Sequence, residues 1–280
     1  MKIDLHIHSI YSDGLLTYDE ILNKAKENKL SKISITDHDT IINLKNYKSL
    51  EKYYGLEIIP GVEISSNRKK LHILGYDIKD FDKMENKLVA LKAENEERNK
   101  ESIDILRNNG VDIDIDRVKS LSKTGIITYR DIIEYLYIKK YVQYRHDAFK
   151  KYIGNGAVAY VPSREMSVKE ILELIDGTGG ISVIAHPSSI KENIYELIEE
   201  MLNYNLSGIE VNKEKISIED YEKFIKIAKR YDLCLTIGSD FHDPAVSNIG
   251  IEVEDNYLDK FEKKLINSRK KIWKINLMQK

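Results

Sequence analysis

His6 and His8 stand two residues apart in Asp4-Leu5-His6-Ile7-His8, and in an extended strand that spacing turns both imidazoles to one face. Two imidazoles converging from one strand are the beginning of a metal site. Related signatures recur along the chain: Asp13, Asp37-His38-Asp39, Glu63, His72, Ala185-His186-Pro187 and Ser239-Asp240-Phe241-His242. Only one of the 7 histidines, His146, falls outside them.

The candidate ligands are therefore His6, His8, Asp13, His38, Glu63, His72, His186, Asp240 and His242. This set exceeds the needs of one ion. At three to four ligands each, with one carboxylate shared, it suits two or three divalent ions. Nitrogen and oxygen donors without a thiolate admit manganese, iron or zinc. Clustered divalent ions lower the pKa of bound water and offset charge on phosphoryl oxygens, chemistry suited to phosphoester hydrolysis. Glu63, Asp240 and His242 are the expected catalytic members. Asp4, Asp37 and Asp39 read either as partners that orient neighbouring imidazoles or as solvated loop acids.

Short apolar runs must position these groups. A strand is predicted near Ile3–Ile7, followed by a helix that Thr17 caps ahead of Glu20-Ile21-Leu22. Further runs at Lys32–Thr36, Leu56–Val62 and Leu71–Tyr76 each carry one of the polar signatures. From about Asp80 to Lys151 the sequence turns charged and helix-favouring, with helical stretches at Met84–Asn109 and Tyr129–Lys139. After Val161-Pro162 the strand–helix rhythm resumes, with strands predicted at Ile181–Ala185, Gly208–Val211 and Cys234–Ile237. Gly177-Thr178-Gly179-Gly180 reads as a helix-to-strand turn. Strand–helix units on both flanks predict a parallel α/β barrel interrupted by a helical insertion.

At 280 residues and 42% hydrophobic content the chain can bury a substantial core. A net charge of −2, from 44 basic and 46 acidic residues, gives no global field for a polyanion or a membrane surface. The lone Cys234 excludes an internal disulfide and reads as a small buried hydrophobe. With neither a leader pattern nor a membrane-spanning apolar run, a cytoplasmic protein is expected.

The signatures in their order, Asp4-Leu5-His6-Ile7-His8-Ser9, Tyr11-Ser12-Asp13-Gly14, Ile35-Thr36-Asp37-His38-Asp39-Thr40, Pro60-Gly61-Val62-Glu63-Ile64-Ser65, His72-Ile73-Leu74-Gly75-Tyr76, Ala185-His186-Pro187 and Gly238-Ser239-Asp240-Phe241-His242, resemble the polymerase-and-histidinol-phosphatase (PHP) family over nearly the whole chain. Asp13-Gly14 and His72 are more similar to its small nucleotide-phosphatase branch than to its histidinol-phosphate phosphatase branch. The resemblance implies a distorted seven-stranded (β/α) barrel over residues 1–79 and 162–280, with residues 80–161 as an inserted helical subdomain that caps the substrate. It also implies that His6, His8, Glu63 and Asp240 hold one metal, that Glu63, His72 and His186 hold a second, and that Asp13, His38 and His242 serve a third. Within the insert, Arg130, Arg145, His146, Lys150 and Lys151 fall where related phosphatases recruit phosphate-binding groups. The chain departs from the family pattern at Thr128-Tyr129-Arg130-Asp131 and at Gly156-Ala157, which points to a shifted substrate choice.

The function expected from this resemblance is hydrolysis of a phosphomonoester of a small nucleotide, a 3′,5′-bisphosphorylated nucleoside being the favoured example, by a hydroxide held between the metals. Three other readings compete with it. The same chemistry would trim short RNA ends. A non-catalytic metal-dependent nucleotide-binding module would use the ligands without turnover. A metal-dependent amide or ring hydrolase would direct water at carbon. No obligate protein partner is expected.

Overall fold

The computed structural model describes residues 1–41, 47–122, 125–162 and 164–278. The N-terminal strand forms as β1 (Lys2–Ile7), with Ile3 and Leu5 in one apolar core and Ile7 in another. The alternate residues Asp4, His6 and His8 are also fully buried, so β1 is covered on both faces. Thr17 and Glu20 close a capping box at the start of α1 (Tyr18–Glu27), which buries Ile21, Leu22 and Ala25.

The described strands assemble into two sheets. In the first, β2 (Lys32–Ile35) lies parallel to both β1 and β3 (Glu57–Ile58), while β9 (Ile251–Glu252) runs antiparallel along the other edge of β1. The second has the order β4 (Gly61–Ser65), β5 (His72–Tyr76), β6 (Ile181–Ile184), β7 (Gly208–Glu210) and β8 (Cys234–Thr236). Helices α7 (Val168–Gly177), α8 (Ile194–Leu202) and α9 (Ile218–Arg230) connect or precede its later strands, which pair in parallel.

Two features depart from the wholly parallel barrel expected. The pairs β1–β9, β4–β5 and β5–β6 are antiparallel. The link from Ser65 to His72 is too short for a parallel crossover, so a hairpin is the available geometry. In addition, the single apolar run predicted at Leu56–Val62 splits into β3 and β4 at Ile59-Pro60, where proline offers no ladder donor.

No closed barrel is drawn by the ladders among the described residues. Isolated bridges, His38 to Glu63 and Ile7 to Phe241, join the two sheets. Single bonds accompany them, Leu5 N donating to Ile237 O at 3.1 Å and His8 N to Phe241 O at 2.8 Å. The physical reason is local: Asp39 (φ 48°) and Asp240 (φ 49°) turn left-handed beside these junctions, which ends extended pairing.

The chain packs as two units, one of residues 1–86 and 166–280, the other of residues 87–165. The division falls inside α3 (Phe81–Asn108), later than the sequence boundary at residue 80. The first turn of α3 stays with the first unit because Asp80 N donates to Thr178 O (3.2 Å) and Lys83 Nζ to Gly177 O (3.0 Å). In the second unit, the later turns of α3, α4 (Ile115–Leu121) and α5 (Tyr129–Ile138) enclose a separate core that includes Ile103, Leu106, Val118, Ile132 and Leu136. A short α6 (Arg145–Ala148) and a π-turn (Phe149–Ile153) follow. Among the described residues no helix is long and apolar enough to cross a membrane.

Candidate metal centre

Strand alternation delivers His6 and His8 to one buried face of β1, and the next turn carries Asp13 back beside them. Gly14 permits that return: a Cβ there would lie 2.2 Å from His8 O. Asp37 shapes the same turn by accepting hydrogen bonds from Ser9 N (2.7 Å), Ser9 Oγ (2.7 Å) and Ser12 Oγ (2.6 Å). Asp4 accepts from Ser239 N (2.8 Å) and Gly250 N (2.9 Å), and Asp39 from Ser65 N (2.9 Å). Each of these three aspartates accepts a hydrogen bond from backbone, and Asp4 and Asp37 are buried. They hold backbone at strand ends and in the adjoining turns, where amides outside the ladders need acceptors.

Glu63 on β4 is the centre of the arrangement. Its Oε2 lies 3.1 Å from His6 Nε2, 3.1 Å from His8 Nε2 and 3.4 Å from His38 Nδ1. Its Oε1 lies 2.9 Å from both His72 Nδ1 and His186 Nε2. Asp240 Oδ1 approaches His8 Nε2 at 3.3 Å and His6 Nε2 at 3.5 Å. His242 Nε2 lies 3.2 Å from Asp13 Oδ1, and its ring stacks on His8 with centroids 4.1 Å apart.

Three groups have ligand atoms all within 4.8 Å of one another: His6, His8, Glu63 and Asp240; His38, Glu63 and His72; and His8, Asp13, His38 and His242. All nine candidate ligands thus meet in one place, His186 joining through Glu63. The donor set fits divalent ions. His38 Nδ1 is buried without a hydrogen-bond partner, and the Nε2 atoms of His6 and His8 face each other at 3.1 Å. A cation shared between such lone pairs satisfies what one proton cannot.

The electrostatics follow from burial and mutual pairing. Burial disfavours the His6 imidazolium, but Glu210 and Glu63 outweigh it and carry its pKa well above the ordinary value. Burial acts the same way on His8, where Asp240 and Glu63 prevail and raise it to about 9. For Glu63, burial favours the neutral acid, yet His6, His186 and His72 hold the carboxyl well below its usual range. Asp240 is drawn down to about 2 by His8 and His6 against the effect of burial. At His38 burial wins and lowers the pKa to about 4, leaving a neutral imidazole with a lone pair to give.

For three of the rings a neighbouring group fixes which nitrogen faces inward. His242 Nδ1 donates to Asp240 O (2.9 Å), and His186 Nδ1 to Ser189 Oγ (3.0 Å). His6 Nδ1 donates to Glu210 Oε1 (3.0 Å). Glu210 was missed in the sequence. The signal was an acid inside the apolar strand Gly208–Val211, where it is 4% exposed. His186 (φ 26°) and Asp240 adopt backbone conformations sparsely populated by residues with side chains, a feature that gathers at functional sites.

The five basic residues singled out in the insert, Arg130, Arg145, His146, Lys150 and Lys151, all belong to the second unit. Arg145 is engaged by Glu134, at 2.5 Å from Nε and 2.8 Å from Nη2, and its guanidinium lies 4.0 Å over the Tyr137 ring. His146 stacks on Tyr144 and pairs with Asp147 at 3.1 Å. Arg130 is exposed beside the Tyr129 ring, and Lys150 is exposed in the π-turn.

Comparison with known proteins agrees with the geometry. The PHP domain pattern matches residues 4–214. A 5′-3′ exoribonuclease of Haemophilus influenzae is 33% identical over 87% of this chain and 90% of its own. A 3′,5′-nucleoside bisphosphate phosphatase of Chromobacterium violaceum is 31% identical over 87% and 88% of the two chains. A crystal structure assigned as a metal-dependent phosphoesterase, from Bifidobacterium adolescentis, superposes with a TM-score of 0.72 at 26% identity, covering 94% of this chain and 95% of its own. With its signatures, its histidine–carboxylate cluster and these matches in agreement, the chain belongs to the PHP domain family.

Proposed function

We propose that this chain is a metal-dependent phosphoesterase that removes a phosphate from a small nucleotide, with a 3′,5′-bisphosphorylated nucleoside as the favoured substrate. The observation that carries the reading is the Glu63 carboxylate with five imidazoles on its two oxygens, an arrangement suited to sharing between divalent ions. His6, His8, Glu63 and Asp240 would hold one ion, Glu63, His72 and His186 a second, and Asp13, His38 and His242 a third. When bound, such ions activate water and offset charge on the phosphoryl oxygens.

The chain's own residues do the remaining work. Glu210, Ser189 and the Asp240 carbonyl keep the imidazole tautomers in which the inward nitrogens can donate lone pairs. The side chains of His6, His8 and Glu63 are at most 1% exposed, whereas those of Asp240 and His242 are 33% and 34% exposed. Asp13, His38, His72 and His186 are 22–27% exposed on the same cluster, so a phosphoryl group has access along this whole rim. Asp240 and His242 are its most open members, and that supports catalytic roles for both alongside Glu63. Arg130, Arg145, His146 and Lys150 are proposed substrate contacts. For Arg145 that role requires exchanging Glu134 for phosphate.

A second reading, trimming of RNA from its 5′ end, is favoured by the identity to the Haemophilus influenzae exoribonuclease. The discriminating experiment is phosphate release by manganese-loaded protein from adenosine 3′,5′-bisphosphate, compared with adenosine monophosphates and 5′-phosphorylated short RNA, with a chelator-treated blank. Fast, chelator-sensitive release from the bisphosphate supports the first reading, and mononucleotide production from RNA supports the second. No turnover of any of them by metal-loaded protein overturns both.

A further inference from the structure

We propose that Glu210 is a positioning residue that couples two members of the cluster, His6 from β1 and His186 beyond β6, through a single buried carboxylate. This inference rests on the metal-centre reading above. Glu210 ends β7, between β6 and β8, and its side chain is 5% exposed. Each carboxylate oxygen has its own task. Oε1 accepts from His6 Nδ1 at 3.0 Å, and Oε2 accepts from the backbone N of His186 at 2.8 Å.

The first bond sets a tautomer. With Nδ1 donating, His6 keeps a lone pair on Nε2, the atom 3.1 Å from Glu63 Oε2. The second bond sets a backbone. His186 stands at φ 26° and ψ 61°, a conformation that surrounding contacts must hold in place. That bend brings His186 Nε2 within 2.9 Å of the other Glu63 oxygen, Oε1. One carboxylate therefore governs a ligand on each side of the shared Glu63, and a change at Glu210 must reach both positions together.

Side-chain chemistry makes this specific to glutamate. A glutamine has one acceptor and one amide donor at these places, so it can satisfy one N–H but turns its own N–H toward the other. An aspartate is one methylene too short to span both. Glu210→Gln is therefore expected to weaken manganese binding by about 10- to 100-fold, read by chelator competition. It should also shift the visible spectrum of the cobalt-loaded protein and lower kcat by a larger factor than it raises KM, since Glu210 itself is buried behind the histidines it holds. A purely structural role would lower the melting temperature and leave the cobalt spectrum unchanged.

A measurement on the unaltered protein keeps the proposal testable should the variant not fold. In zinc-loaded protein with nitrogen-15-labelled histidine, His6 should appear as the Nδ1–H tautomer. An Nε2–H tautomer, or folded Glu210→Gln with wild-type manganese affinity and cobalt spectrum, overturns the proposal. Both readouts need no substrate. Failure of the wild type to release phosphate would sink the phosphoesterase reading and leave this one standing, whereas a wild type that binds neither manganese nor zinc would overturn it.

Discussion

Replacing Gly238 by alanine puts a methyl group where the backbone of His6 already stands. The added Cβ would lie 2.1 Å from His6 Cβ, 2.6 Å from His6 N and 2.8 Å from His6 Cα. Carbon contacts are comfortable at roughly 3.5–4.0 Å, so the segment after β8 and strand β1 must part by about 1.5 Å. Changing rotamers cannot relieve this, because backbone or Cβ atoms stand on both sides. The separation pulls on Leu5 N to Ile237 O (3.1 Å) and on the buried bond from Asn212 Nδ2 to Gly238 O (2.9 Å). Overpacking costs about 1–3 kcal/mol and each of the two weakened bonds about 1 kcal/mol, so the variant should lose about 3–5 kcal/mol. At roughly 2–4 °C per kcal/mol for a domain of this size, the metal-free protein should melt about 6–20 °C lower. The same shift separates His6 from Glu63 and Asp240, so manganese affinity should fall as well. Gly55→Ala is the control: Gly55 has φ 73° with nothing within 4 Å of its Cβ position, so only the local backbone cost of about 1–2 kcal/mol applies and metal binding should persist. Calorimetry in chelator followed by manganese titration reads both effects. A Gly238→Ala protein that melts within a degree of wild type and binds manganese equally well would refute the reasoning.

Glu63→Gln keeps shape but removes the charge shared by five imidazoles, and turnover should fall by more than about 100-fold, or roughly 2.7 kcal/mol of barrier; retained turnover at full metal content would remove Glu63 from its central role. Removing divalent ions should lower the melting temperature, and manganese at about 100 times its dissociation constant should restore about 2.7 kcal/mol; identical melting curves would argue against a folded-state metal site. Thr17→Ala opens the capping box of α1 and should cost about 1 kcal/mol while leaving manganese affinity unchanged, a pattern checked by paired melting and binding curves. Burial pushes the Cys234 thiol up to about 12 from an ordinary value near 9. The folded thiol stays protonated while the unfolded one ionises, so this group's stabilising contribution is present below pH 9 and is lost between pH 9 and 12. Alkylation at pH 8.5 should accordingly be slow in the native protein and fast in denaturant, and rapid native labelling would contradict a buried thiol.

Much of the centre was legible before folding because it depends on local periodicity. His6 and His8 share a face in any extended strand, and Thr17 with Glu20 caps a helix through contacts only three residues apart. The candidate ligands could be read together because each stands beside an apolar run. Their residue types alone, however, do not decide which oxygen of Glu63 meets which imidazole. That choice joins β1, β4, β5 and the turn after β6, and depends on the bends at His186 and Asp240.

The acids show the same division between local pattern and tertiary partner. Asp4, Asp37 and Asp39 sit next to candidate-ligand histidines in sequence yet accept from backbone amides of turns and a strand end, whereas Glu210, far from them in the chain, holds His6 and His186. A carboxylate's role depends on which donor arrives within about 3 Å, and only chain reversal over many residues decides that. The β4–β5 hairpin and the interruption at Pro60 likewise turned a presumed parallel barrel into two sheets joined by isolated bridges. By itself the sequence determined which residues are candidate ligands, the strand that pairs His6 with His8 and the helical caps, because these follow from residue chemistry and short-range geometry. The tertiary structure decided the sheet connections, the sharing of Glu63 and the service of Glu210, because each requires distant segments to meet at hydrogen-bond distance.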